Sequence, residues 1–534
     1  MEKPFDCIVI GAGHNGLVCA SYLAKAGRKV LVLERSNQVG GCAITEEIAP
    51  GYRASTASYL VSLLLPEVER DLELRKHGYK PLPRNPSSFT PCEDGRSLLL
   101  GPDSELNRRE IVKFSTRDAE AYPRYEAWLT RIAEALEPVL MAPAADLLPL
   151  PRRRGFFEWL RNLRRGHSLY SALGKLGDEL PEAIELLTGP ATPILDRWFE
   201  SDVLKGTLAT DAIIGTFAPP SAPGTGYVLL HHVMGVAGGA RGVWAYVEGG
   251  MGALTQAMAR SAEVSGVEIR CNAEVANIVI ENGRAVGVRL VGGEVIRAGQ
   301  VISNATAQVT FEKMLAPADL PAEFRNAVRR IDYSSASMKI NLALSELPDF
   351  SCLPGKQAGP QHQGTIHIGS APDYLERAYD DAKYGRPSQR PVIEMTLPSV
   401  LDKTLAPAGH HIAQLFVQYA PYKLVGADWD GLKDAFADLC IAEITKLAPN
   451  FARSVLHRQV LSPLDLERRF ALTGGNIFHG AMPLHQLFSM RPVPGWSDYR
   501  TPVRGLYMCG ASTHPGGGVM GACGRNAAME ILRA

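Results

Sequence analysis

Apolar and polar positions follow several distinct rhythms along this chain. Near its start an unbroken apolar run, Cys7-Ile8-Val9-Ile10, predicts a strand buried on both faces. A helical rhythm follows from Leu17 to Ala26, and Gly27 ends it. Val30-Leu31-Val32-Leu33 predicts a second buried strand, closed by Glu34. Residues 51–65 pass from small polar positions to an apolar tail that predicts the start of a helix, continued as a charged helix over 67–77. Residues 116–140 place Tyr122, Tyr125, Trp128, Leu129, Ile132, Leu136 and Leu140 at near-helical spacing. Residues 248–254 lead into an amphipathic helix. Short strands follow over 267–270, 273–280, 285–291 and 301–305, with Asn282-Gly283 as a hairpin turn. Residues 337–344 alternate strictly: Met338, Ile340, Leu342 and Leu344 share one face, Lys339 and Asn341 the other. A last apolar strand runs into Gly510-Ala511, followed by a glycine-rich loop and a helix to residue 533.

The turn between the first strand and helix reads Gly11-Ala12-Gly13-His14-Asn15-Gly16. Gly11 permits a tight turn, Gly13 lets the backbone approach a pyrophosphate, and Gly16 lets the helix pack on the strand. Free N–H groups and the positive dipole end of the helix hold phosphates. Glu34 is placed to take ribose hydroxyls. Strand, turn, helix and acid together predict a bound dinucleotide. After Glu34-Arg35, a short loop reaches Gly40-Gly41-Cys42. That arrangement resembles the second FAD fingerprint of glutathione-reductase-like flavoproteins, where backbone N–H groups close on the far side of the diphosphate. The resemblance implies FAD as cofactor, with Gly11, Gly13, His14, Asn15, Gly16, Glu34, Arg35, Gly40, Gly41 and Cys42 around it. Many relatives carry Arg after the glycine pair, where this chain has Cys42. The C-terminal loop, with Gly510, Ala511, Gly517, Gly518 and Val519, is expected to hand phosphate and ribityl oxygens to a helix start in the same way.

Three further features carry chemistry. Lys339 interrupts an apolar strand, and a buried lysine needs partners. The readings open to it are a water-holding catalytic lysine or one member of a solvated polar face. His514 precedes three glycines and either approaches the flavin ring or packs within its loop. Residues 147–176 interleave basic residues 152–154, 161, 164 and 165 with Phe156, Phe157, Trp159, Leu160 and Leu163. This segment reads as an amphipathic helix on a membrane surface or at a substrate entrance, as an ordinary surface helix, or as a protein contact.

Composition narrows the classes. The 534 residues predict two to three domains. With 56 basic and 56 acidic residues the formal charge is zero, which argues against nucleic acid as a partner. The nine cysteines form no C-x-x-C pair, so neither a zinc site nor a redox dithiol is expected, and a reducing compartment fits. Only four residues precede the first strand and no run of eighteen apolar residues occurs, so a cytoplasmic protein without leader or membrane span is expected.

The motifs IGAGHNGL at 10–17, VGG at 39–41, EGGMGAL at 248–254, VISNA at 301–305 and GASTHPGGGVMGA at 510–522 resemble the phytoene-desaturase-like branch of FAD-dependent oxidoreductases nearly end to end. Residues 57–64 and 82–91 look most like the group called pyridine nucleotide-disulfide oxidoreductase domain-containing protein 2, although the chain shows no second G-x-G-x-x-G unit for NAD(P)H and no disulfide pair. The resemblance implies an α/β fold: a Rossmann-like FAD domain from residues 1–75, 243–310 and 500–534, with an inserted α+β substrate domain from 76–242 and 311–499. It implies that Val275 meets the adenine through its backbone. It likens Lys339 to the amine-oxidase lysine that holds a water at flavin N5. The expected function is hydride transfer from a lipophilic or amphipathic small molecule to flavin N5. A carotenoid desaturase or ketolase, and a FAD-binding protein acting mainly through a partner or membrane surface, are the rivals. Oligomeric state is not legible.

Overall fold

The computed structural model of the protein describes residues 5–146, 155–237 and 239–533. In chain order, β1 (Phe5–Ile10), α1 (His14–Lys25) and β2 (Val30–Leu33) come first. They are followed by β3 (Ser88–Pro91), β4 (Ser97–Leu100), α2 (Thr116–Leu140) and α3 (Phe156–Gly174). Next come α4 (Met251–Val264), β5 (Glu268–Arg270), β6 (Val275–Glu281), β7 (Arg284–Leu290) and β8 (Val295–Ser303). Later elements that frame the site are β9 (Met338–Leu344), β10 (Thr365–Ile368), β11 (Val392–Thr396), β12 (His411–Gln418), α5 (Trp429–Leu447), β13 (Val455–Leu461), β14 (Leu506–Met508) and α6 (Ala522–Leu532).

Two seven-stranded sheets organise these elements. The first has the order β5-β2-β1-β8-β7-β6, with β14 also paired to β8. Its β1, β2, β5, β8 and β14 run parallel, while β6 and β7 form an antiparallel meander on the lower half of β8. Parallel strands are covered on both sides, so their runs are apolar throughout. Cys7 and Val9 pack under α1, α4 and α6, while Ile8 and Ile10 face Phe311, Phe324 and Val328. Residues 311–331, read from sequence as part of the substrate domain, thus pack on this sheet. The β6–β7 turn has Asn282 at φ 50° and Gly283 at φ 71°, the backbone that an Asn-Gly pair favours.

The second sheet has the order β13-β9-β12-β11-β10-β3-β4, antiparallel except between β10 and β3. Its apolar face, including Ile340, Leu415 and Met395, packs on Phe436, Cys440 and Ile444 of α5. The α/β class with a Rossmann-like unit is as expected from sequence.

Two local expectations fail. Residues 59–65 do not begin a helix. Val61 exchanges backbone hydrogen bonds with Ala245, and the helix waits for Pro66 and ends at Asp71. A residue before proline avoids helical backbone, so the start moves downstream. The terminal helix opens after Gly521 rather than after Gly516-Gly517-Gly518. Those three glycines form the loop before it.

Candidate functional site

One cavity of about 670 Å³ runs between the two sheets. At its first end lies the turn after β1. Gly11 takes φ +93°, and a Cβ on Gly16 would stand 2.1 Å from the Gly11 carbonyl oxygen. Only glycine lets α1 sit this close to the turn. The loop after β2 folds across it: Gly40 N–H donates to the Ala12 carbonyl at 2.9 Å, and a Cβ on Gly41 would lie 3.3 Å from Gly13 Cα. The backbone of both loops therefore lies bare on the cavity wall. Glu34, nearly buried, accepts N–H bonds from Ala12 at 2.8 Å and Ser36 at 2.9 Å. Each of the two Glu34 oxygens thus takes one N–H and keeps a lone pair for a further donor.

Gly11, Gly13, His14, Asn15, Glu34, Arg35, Gly40, Gly41, Cys42, Val275, Ala511, Gly517, Gly518 and Val519 all line this cavity. Gly16 and Gly510 act one layer behind, by close packing: a Cβ on Gly510 would meet the Asn304 carbonyl at 2.7 Å. Asn15 also accepts the Gly524 N–H of α6 at 3.3 Å. Arg35 donates to the carbonyls of Arg468 and Arg469. Burial pushes the Cys42 thiol up to about 12 and the His14 imidazole down to about 4, so both are neutral at pH 7. Val519 takes φ 57°, a conformation a β-branched residue adopts only at a cost. Bare backbone at two glycine turns, with an oriented acid, fits an adenine dinucleotide.

The second end of the cavity is built by side chains of the second sheet. All seven residues of β9 are buried, so the expectation of a solvated polar face fails. Register puts Lys339 opposite Phe416, Phe416 opposite Glu394, and Glu394 opposite His367. These four cross the sheet in one row on the face turned from α5, and all line the cavity. Lys339 is 2% exposed, its Nζ has no hydrogen-bond partner, and it sits 4.1 Å over the Tyr59 ring. Burial drives its ammonium far below the usual lysine range. Tyr59 also stacks on Phe416. Tyr122, Tyr125 and Leu129 of α2 and Trp244 cover the row.

His514 is the one proposed catalytic side chain that does not line the cavity. Its ring is buried against Phe488, 5.5 Å between centroids, and burial pushes it down to about 3. Apolar packing, not the cofactor space, receives it. Sequence reading also missed Glu394, His367, Asp211 and Arg84 on the cavity wall. It missed Arg491, fully buried, which donates to the carbonyls of Phe478, Gly480, Ala481, Gln486 and Ala511. That single guanidinium ties the 478–486 loop to the end of β14.

Comparisons with known proteins agree with this geometry. The model of flavin containing amine oxidoreductases matches residues 215–532, and that of NAD(P)-binding Rossmann-like domains matches residues 9–70. Pyridine nucleotide-disulfide oxidoreductase domain-containing protein 2 of Rattus norvegicus is 49% identical, covering 100% of this chain and 94% of its own. A limonene dehydrogenase component from Castellaniella defragrans is 27% identical over 99% of this chain and 95% of its own. Wild-type putrescine oxidase bound to putrescine shares the fold, with a TM-score of 0.59 at 17% identity and full coverage of both chains. The chain belongs to the flavin-containing amine oxidoreductase family and is a FAD-dependent oxidoreductase.

Proposed function

We propose that this enzyme oxidises a lipophilic or amphipathic small molecule held between the two sheets. The observation that carries the reading is one continuous cavity with bare glycine backbone at one end and an aromatic wall with Lys339 at the other. Bound FAD supplies the two-electron acceptor. The cofactor-side residues fix its diphosphate and ribose. Tyr59, Phe416, Tyr122 and Trp244 exclude water around the donor. Lys339, lacking a hydrogen-bond partner, holds a water beside the aromatic wall. In this reading the FAD domain comprises residues 1–75, 243–310 and 500–534, joined by 311–331. Residues 76–242 and the remainder of 311–499 form the substrate domain. The name of the 27%-identical relative, a limonene dehydrogenase, supports an apolar donor.

The test is the visible spectrum of the purified protein before and after heat release of its cofactor, followed by anaerobic bleaching with lipophilic donors. A flavin spectrum bleached only by small hydrophilic amines would overturn the donor class. Lys339→Met is expected to slow at least one half-reaction in stopped flow. Unchanged rates in both would remove its role.

A second reading concerns α3. Only Ala172 of this helix is buried. Its inward face is mixed: Ala172 is buried and Leu173 meets the core, while Asn162 exchanges hydrogen bonds with the Asp146 backbone, Arg165 pairs with buried Glu530, and Glu158 lies 3.6 Å from Arg500. Phe156, Trp159, Leu163 and Tyr170, on the opposite side, are 49–77% exposed. Arg164 is exposed and Arg161 half-buried, while Glu158, the sole acid of the helix, points inward. Arg152–Arg154 lie outside the described residues. A helix of this kind fits an anionic membrane surface. No helix among the described residues is long and apolar enough to cross a membrane. Sedimentation with phosphatidylglycerol-containing vesicles tests the contact. Binding is expected, with loss in Phe157→Glu plus Trp159→Glu; binding that survives both changes counts against it.

A further inference from the structure

The substrate end of the cavity holds more polar chemistry than an apolar donor needs. Glu394, 6% exposed, accepts the Tyr59 hydroxyl at 3.3 Å. His367 Nδ1 lies 3.8 Å from the other Glu394 oxygen and 3.2 Å from the Thr210 hydroxyl. Asp211, next in sequence, lines the same wall, and after burial the Glu394 carboxyl is what raises its pKa. Among the described residues, neither acid forms an ion pair with an arginine or lysine. Arg84 stands near both, but its Nε donates to the Trp244 carbonyl at 2.6 Å and its Nη1 to the Thr365 hydroxyl at 2.8 Å. Burial holds Glu394 up at about 7 and Asp211 at about 8, and pushes His367 down to about 3.

An independent observation points to a ligand here. Tyr125 of α2 lines the cavity, is 2% exposed, and its hydroxyl has no hydrogen-bond partner. A buried hydroxyl left unpaired is costly, and native structures avoid it unless something else fills the gap. Around it the wall is apolar: Leu129, Leu208, Leu229 and Phe416.

We propose that Glu394, Asp211 and Tyr125 seat an uncharged oxygen-bearing head group, a hydroxyl or carbonyl, of an otherwise apolar donor. This rests on the donor reading above and narrows it. A pure hydrocarbon would leave the Tyr125 hydroxyl without a partner beside the two carboxyls, and a site built to bond an oxygen strongly rejects a ligand that lacks it. An ammonium would enter beside the positive charge of Arg84, which opposes it. A neutral oxygen takes a hydrogen bond from a protonated carboxyl and from the phenol together, as buried protonated carboxylic acids do elsewhere.

Three compounds on one ten-carbon skeleton separate these cases: limonene, perillyl alcohol and perillylamine. Each is titrated into the FAD-loaded enzyme by calorimetry. Perillyl alcohol is expected to bind at least about tenfold more tightly than either other probe. Glu394→Leu should weaken the alcohol about tenfold and leave limonene no weaker, while Glu394→Gln, which keeps a donor and an acceptor, retains most of the affinity. An unchanged flavin spectrum in both variants shows that the fold is intact. Equal binding of alcohol and limonene, tightest binding of the amine, or indifference to Glu394→Leu overturns the seat while leaving a lipophilic donor in place. Binding of none of the three overturns the lipophilic donor itself, and the seat with it.

Discussion

The two sheets solve different problems. In the first, both strand faces are apolar and the backbone at Gly11, Gly13, Gly40 and Gly41 lies bare on the cavity wall. In the second, one face is apolar and the other presents Lys339, Asn341, Gln414, Glu394 and His367 to a buried space. A diphosphate is recognised by N–H groups that every residue owns, so what matters is the absence of side chains. A donor molecule is recognised by particular side chains, so what matters is where alternation places them. Mutations should therefore act in opposite senses: adding atoms harms the first sheet, and removing or neutralising them harms or relieves the second.

The largest effect follows from adding one carbon. Gly16→Ala puts a Cβ 2.1 Å from backbone, and bound flavin per protein should fall by at least about tenfold in visible absorbance. Gly174→Ala, where a Cβ meets nothing within 4 Å, should leave flavin content unchanged. Equal flavin in the two variants would break the contrast. On the second sheet, Asn341 donates to the Thr56 carbonyl at 3.1 Å and to Gln459 at 2.9 Å, and Gln414 donates to Asn341. Asn341→Ala leaves buried partners unpaired and should cost about 1–3 kcal/mol in chemical denaturation.

A subtler test uses pH. Asp211 ionises near 3.8 in an unfolded chain and near 8 in the fold, chiefly through burial and then through Glu394, with Arg84 opposing. The folded state thus holds the extra proton between those values. The stability linked to it is full below pH 3.8 and is lost as pH rises through 8. Asp211→Asn removes that loss, so its melting temperature relative to the parent should climb from pH 5 to pH 8. A flat difference would show that Asp211 is ionised in the fold. Smallest of all is Trp159→Glu on the outward face of α3, which should change stability by no more than about 0.5 kcal/mol. A larger loss would mean that the helix face is packed rather than bare.

The same contrast governs what the sequence discloses. The glycine spacing at 11–16 and the Asn282-Gly283 turn were legible because positive φ at Gly11, Asn282 and Gly283 and close packing at Gly16 are demands written locally. The alternation of β9 was legible too. That Lys339 and Asn341 face a closed space was not, because a polar strand face looks the same whether water or another layer covers it. Glu394 and His367 carried the signal that singled out Lys339: one ionisable residue within a short apolar strand, in Val-Ile-Glu-Met-Thr and Thr-Ile-His-Ile. Only the register of three antiparallel pairs reveals them as one row. His514 had the reverse fate. Its glycine-rich setting resembles a cofactor loop, but packing turns the ring toward Phe488.

The pairing of β14 with β8 bears on how the molecule is made. Ser303 and Met508 lie side by side in the parallel sheet region but far apart in synthesis. At about 5–20 residues per second, the ribosome needs on the order of 10–40 s to travel between them. For that interval β8 waits with one flank bare, and neither α6 nor the glycine loop before it exists. A nascent chain at that stage owns the Gly11–Gly16 turn but lacks the opposite wall. Flavin capture is therefore a late event, and a firmly held yellow cofactor reports that translation has passed the final strand.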